Sequence, residues 1–382
     1  MEAEGHNPSD QGGCVVRDRR TRRSALIVLA TAALLAGCSA SSRGGEPAAG
    51  PGADPAPAAE DEPRQVATTD GALQGLADLE RGPEAAGRDR LIDAADREID
   101  RSPSATETLD AEETDDPFVG DAQAAWTLAL ARHVTGEERY GEAAARIVDD
   151  WVQTTTGLEN ACPDSGGCAT SLMVSRAAPG LVFAVDLLRA DGVMNSEDHA
   201  EFQRWLRRVI LPAASDRDNN WGDAGTYLIA VVGAELADDK LLESAADRWR
   251  ERIDLIEPDG QIPEEIRRGD ASLMYSQEAL DYKVATADVL SRAGIDVWDA
   301  RGARGGTLVS ALALVAAGID EPGGWPGGEG DLRVPDPAGL WPIAADRWDR
   351  REFARLAADA VDLDGSGHSA VLWTGITHPV ER

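Results

Sequence analysis

Apolar residues recur at spacings of three and four along most of the chain, the period of a helix that buries one face. This pattern predicts helices over Ala72–Leu79, Glu84–Ile99, Phe118–His133, Tyr140–Val152, Ser171–Leu188, Ser196–Ile210, Tyr227–Leu236, Asp239–Leu255, Ser272–Ser291, Gly306–Ala317 and Arg350–Val361. Punctuation agrees with several of these boundaries. Ser196-Glu197-Asp198 opens one segment, Gly294 closes another, and the Pro- and Gly-rich stretch Glu321–Gly330 separates the late ones. No convincing alternating strand precedes Ala370-Val-Leu-Trp373. Roughly eleven helices, in pairs of about 40 residues, are too many for a four-helix bundle; they predict an all-α (α/α) toroid or solenoid of helical hairpins.

The helical period is missing from the first part of the chain. Residues 1–38 read as a targeting segment: Arg17, Arg19, Arg20, Arg22 and Arg23 precede the apolar run Ala25–Ala36, which is too short to span a bilayer. The run ends in Leu35-Ala36-Gly37-Cys38, which resembles a bacterial lipoprotein lipobox. That resemblance implies cleavage before Cys38 and lipidation on it; an ordinary secretory signal and an uncleaved anchor are the alternatives. Residues 39–67 are Ser, Gly, Pro and Ala with scattered acids, a composition that cannot bury a core and reads as a flexible tether. The helical domain is then 68–382, held to the extracytoplasmic face of a cell membrane through the anchor on Cys38.

Composition narrows the partners. The formal net charge is −32, and Lys240 and Lys283 are the only lysines. Nucleic acid is excluded as a partner, because its binding calls for a basic face. Outside the cytoplasm, Cys162 and Cys168 read as a disulfide closing a tight loop, since a metal site would need further ligands nearby. His133, His199, His368 and His378 lack metal-ligand spacing, and Asp362-Leu-Asp364-Gly-Ser-Gly-His368 lacks the later Glu of an EF-hand. Neither a metal nor a cofactor is expected.

Polar groups gather at the mouths of two helices that otherwise look buried. The first is Asp218-Asn219-Asn220-Trp221-Gly222-Asp223, from which Asn220, Asp223 and Tyr227 share a face. The second runs from Pro258-Asp259-Gly260 through Gln261-Ile262-Pro263 to Glu264, Glu265, Arg267, Arg268 and Asp270. It leads into a helix on which Ala271, Tyr275, Glu278 and Tyr282 align at i, i+4, i+7 and i+11, opposite an apolar face of Leu273, Leu280, Val284 and Ala287. Plainer readings stand beside the functional one. Asn219 or Asn220 caps a helix, Trp221 and Tyr275 pack, and the two arginines pair with Glu264 and Glu265 at the surface.

Four segments in order resemble the alginate lyase family of (α/α)-toroid polysaccharide lyases: Glu138–Trp151, Ser175–Leu188, Asn219-Asn220-Trp221, and Asp259-Gly260-Gln261-Ile262-Pro263-Glu264-Glu265. Together they cover about residues 118–300. The resemblance implies β-elimination on a uronic-acid polymer. Such chemistry needs a neutralised uronate carboxylate, a base for the α-proton and an acid for the leaving oxygen. It casts Asn220 as carboxylate neutraliser, while Trp221 stands where the family has a histidine and is left to stack on a sugar. Read without gaps from Pro263, the family's arginine and tyrosine fall at Ala271 and Glu278, so Arg268 and Tyr275 stand in as neutraliser and proton carrier. Trp221, Asp223, Tyr227, Arg267 and Glu278 are expected to contact substrate; Tyr227 is a second candidate proton carrier, its ionised form favoured by Arg268. The expected partner is an acidic polysaccharide, which on so acidic a protein requires a local basic patch. Two other functions use the same residues: a glycoside hydrolase pairing Asp223 with Glu264, Glu265 or Glu278, and a catalytically degenerate glycan-binding lipoprotein.

Overall fold

A computed structural model describes residues 83–162, 168–328 and 330–360, all within one compact unit, Glu60–Arg382. The signal segment with Cys38, the tether, the helix expected at Ala72–Leu79, the Asp362–His368 turn and the strand expected at Ala370–Trp373 lie outside these residues. The helices are α1 (Pro83–Glu98), α2 (Pro117–Thr135), α3 (Glu138–Thr154), α4 (Ala169–Ala190), α5 (Ser196–Trp205), α6 (Asn220–Glu235), α7 (Asp239–Asp254), α8 (Pro263–Ile266), α9 (Ser272–Arg292), α10 (Leu308–Asp320), α11 (Leu340–Arg347) and α12 (Arg351–Asp359). Two-residue strands β1 (Thr108–Leu109) and β2 (Gly157–Leu158) pair in parallel.

Two kinds of helix make the architecture. In α4 every residue from Thr170 to Leu188 is buried, and in α6 every residue from Gly222 to Glu235. A helix apolar on all sides needs neighbours on all sides. By contrast, α3 buries only a stripe, Tyr140, Gly141, Ala143, Ala144, Ile147, Val148, Trp151 and Val152, at the spacing of one helical face. The buried helices stand side by side in chain order, α2 against α4, α4 against α6 and α6 against α9, while α3 and α7 pack on α2 and α6 respectively. That inner row backed by amphipathic helices is an all-α (α/α) toroid. Its apolar residues form a continuous core from Leu91 to Ala360. Although α4 has the length and apolar composition of a membrane span, its apolar window is wholly buried in protein.

Close approach explains where the helical period misled. The period predicts a helix starting at Tyr227, yet α6 starts at Asn220, because Gly222 and Gly225 serve contact rather than a turn. A Cβ on Gly222 would lie 1.8 Å from the Arg217 carbonyl oxygen, and one on Gly225 would lie 2.2 Å from that of Ser215. The chain before α6 therefore rests directly on its first turns. Similarly, the segment expected to run as one helix to Ile210 is α5 followed by a π turn, Leu206–Ile210, and a 3₁₀ turn, Leu211–Ala213. Its cap is Asn195, whose side chain accepts from the backbone N–H groups of Glu197 and Asp198 at 2.8 and 3.0 Å. Helix α11 went unforeseen because Leu340-Trp-Pro-Ile-Ala344 is buried throughout and shows no period. Cys162 and Cys168 are joined as a disulfide, with Cα atoms 5.4 Å apart.

Candidate active site

Asn219 caps α6, its side chain accepting the Trp221 N–H at 3.1 Å. This frees Asn220, the first helical residue, from capping. Asn220 has no solvent exposure, and neither its Nδ2 nor its Oδ1 has a hydrogen-bond partner. An amide buried without partners is costly, and here it stands at a helix N-terminus, where the helix dipole favours an anion. The chain leading to it is pinned from outside by α7. Arg252 holds Asp218 at 2.8 Å and Asp216 at 3.0 Å, and Arg248 donates to the Ser215 carbonyl.

Beneath Asn220 lie three buried charged side chains from three elements. Glu265, on the short helix α8, is fully buried; its Oε1 accepts the Asn220 N–H at 2.7 Å, and its Oε2 has no partner. Asp223, one turn along α6, gives Oδ2 to the Lys283 ammonium at 2.5 Å, leaving Oδ1 without a partner. Lys283 reaches in from α9 and is only 3% exposed. Burial pushes the Glu265 carboxyl up to about 7, and the Asp223 charge adds to the rise; the Asn220 N–H, Lys283 and Arg268 oppose it. Loss of water on burial outweighs the neighbouring cations.

The turn after α8 supplies the exposed half of the site. Gly260, at φ +91°, lies so close to the α10 backbone that a Cβ would meet the Ser310 carbonyl at 2.3 Å, and this fixes the approach to Pro263 and Glu265. Arg268 follows three residues after Glu265, its N–H bonded to the Glu265 carbonyl at 3.0 Å. Its guanidinium lies over the ring of the half-buried Tyr275, 4.1 Å from the centroid. Arg217 lies likewise over the half-buried Trp221, at 4.5 Å. Asn220 is thus linked through Glu265 to Arg268, and through Arg268 to Tyr275. The set combines an unengaged amide, two guanidiniums beside aromatic faces and a phenol: donors for an anion, and a group able to exchange a proton.

Other expected site residues sit elsewhere. Arg267 is exposed and pairs with Glu264 through both guanidinium nitrogens, at 2.8 and 2.9 Å, as a surface ion pair. Tyr227 is 2% exposed, inside the core beside Tyr282 with ring centroids 6.3 Å apart, and burial raises its pKa. This corrects the expectation that Arg268 favours its ionised form: Arg268 lies over Tyr275, and the Tyr227 ring packs beside Tyr282. Glu278 is ion-paired with Arg176 of α4, which also donates to the Tyr282 hydroxyl at 3.0 Å. The face carrying Tyr275, Glu278 and Tyr282 therefore enters the core as it descends α9. Asp223 acts through its bond to Lys283. Lys283 and Arg176 escaped the sequence reading because both lie among apolar neighbours, although a lysine so placed, one of two in the chain, was itself a signal.

Comparison with known proteins places the chain in a family. The alginate lyase family model matches residues 54–325, and the chain belongs to the alginate lyase family. A curated polysaccharide lyase of Stenotrophomonas maltophilia (strain K279a) is 24% identical over 195 residues, 43% of this chain and 56% of that protein. The chain thus spans about half the length of the curated relative it matches. Among solved structures, the fold is shared with an alginate lyase from Sphingomonas species A1, at a TM-score of 0.66 and 16% identity over 85% of this chain and 98% of that one. An alginate lyase from Bacteroides ovatus superposes with a TM-score of 0.60 and 15% identity, covering 84% of this chain and 100% of that one.

Proposed function

We propose that this protein cleaves a uronic-acid-containing polysaccharide by β-elimination, from a lipid anchor on Cys38 at the extracytoplasmic face of the membrane. The observation that carries the chemistry is the buried amide of Asn220, unpartnered at the start of α6. Its Nδ2 donates to the uronate carboxylate, and the Arg268 guanidinium supplies the positive charge that makes a carbanion-like state tolerable. Tyr275, beneath Arg268, takes the proton from the carbon α to the carboxylate. The electron pair of that C–H bond becomes the new double bond, the glycosidic C–O bond breaks, and the leaving oxygen receives a proton from the same phenol. Trp221, packed on the core and half-buried under Arg217, holds that guanidinium at the site, where the pair contacts the sugar. Arg217 and Arg268 provide the local basic patch that an acidic polymer needs against a net charge of −32.

The test is incubation of the purified domain with a panel of polyuronates, followed by ultraviolet absorbance of the unsaturated product. A rise that disappears in Tyr275→Phe supports the reading. New reducing ends without absorbance would replace elimination by hydrolysis. The anchor is tested separately, by radiolabelled palmitate incorporation that Cys38→Ala should abolish.

A further inference from the structure

Lys283 neutralises one of two buried carboxylates beneath Asn220, and the second has no cation bonded to it. Glu265 is faced by Asn220 and Asp223 from α6, by Lys283 from α9 and by Arg268 from its own turn. With both carboxylates ionised, Asp223, Lys283 and Glu265 together carry one net negative charge, next to the amide proposed to bind a uronate carboxylate. The Glu265 Oε2 is an acceptor without a donor, and so are Asp223 Oδ1 and Asn220 Oδ1. One proton on Oε2 removes the net charge and supplies a donor among these acceptors.

We infer that Glu265 is a positioning residue that takes up a proton when an anionic sugar binds, so that each uronate carboxylate enters over a neutral acid rather than a buried anion. The inference rests on the proposed uronate reading and deepens it. The proton moves from solvent to Oε2, and no covalent bond to the sugar is involved. Oε1 keeps the Asn220 N–H throughout, holding the amide in place in both protonation states. Burial already brings the free carboxyl to about 7, and an incoming anion raises it further. Binding near neutral pH therefore draws up to one proton from the buffer, and affinity falls by up to tenfold per pH unit above about 7.

Calorimetric titration of an oligouronate into the full chain carrying Tyr275→Phe, which blocks turnover, tests this in two buffers of different ionisation enthalpy. At pH 7.5 the expected result is net proton uptake. Glu265→Gln retains an acceptor for the Asn220 N–H and should abolish the uptake, leaving affinity level from pH 6 to 8. In otherwise unmodified enzyme, the same substitution should flatten the pH dependence of KM. Binding without proton uptake, or uptake that persists in Glu265→Gln, overturns the inference while leaving the uronate reading intact. Absence of oligouronate binding at every pH overturns both. If the Gln variant fails to fold, absence of proton uptake in the Tyr275→Phe protein alone still overturns the inference.

Discussion

Asn220 divides its roles between its backbone and its side chain. The N–H is fixed by Glu265 at 2.7 Å, and the amide is left unengaged in a dry site. Removing a donor placed for developing charge typically costs about 10²–10³-fold in kcat. Asn220→Ala should fall in that range, with circular dichroism unchanged, and a smaller effect would return the residue to a packing role. Tyr275→Phe removes only a hydroxyl from a half-buried ring that still stacks beneath Arg268. Its expected loss is about 10²–10⁴-fold in kcat, with thermal stability retained. Of these residues, Asn220 was legible in the sequence from its place before a buried helix, and Arg268 and Tyr275 from their place after the Gln-Ile-Pro turn. Glu265 looked like half of a surface charge cluster because its neighbours Glu264 and Arg267 are that cluster; only the direction of the α8 turn sends one glutamate outward and the other inward.

Between elements, α6 and α9 are joined by the buried Asp223 and Lys283 pair as well as by apolar packing. Breaking such a pair leaves an uncompensated charge, so Lys283→Met should cost about 3–5 kcal/mol. Urea unfolding measures it, and Asp223→Leu in the same chain should recover much of the loss, because the pair as a whole is nearly balanced against its desolvation. The glycines of α6 belong to this scale too. Gly225→Ala would drive a methyl into the Ser215 carbonyl at 2.2 Å and should destabilise by about 1–3 kcal/mol through overpacking. It should also lower activity, since the displaced segment leads straight to Asn220. Periodicity cannot detect such contacts: a glycine reads alike whether it bends its own chain or admits another.

At the scale of the whole molecule, a carboxyl buried under the site links stability to pH. Glu265 is raised from an ordinary 4.5 to about 7, so folding favours its protonated form. Its contribution is fully present below about pH 4.5 and is lost as pH rises through 7. The loss is on the order of 3 kcal/mol. Unfolding free energies at pH 5 and 8 should therefore differ less in Glu265→Gln than in the unsubstituted protein, and equal differences would show that the folded state ionises this group freely. Stability given up here is consistent with a site whose polar atoms await a ligand.

The sequence by itself determined the helical class, most helix positions and the two segments that form the candidate site. Those follow from the period of apolar residues and from caps, which act over a few residues of chain. Tertiary structure alone decided which polar groups face inward. Tyr227 and Asn220 share a face of α6, yet one ends in the core against Tyr282 and the other at the helix mouth with its amide unengaged. Likewise, Lys283 emerges from an apolar stretch to meet a carboxylate 60 residues earlier. Burial and pairing depend on what the neighbouring helices bring, and a helix carries no record of its neighbours in its own period.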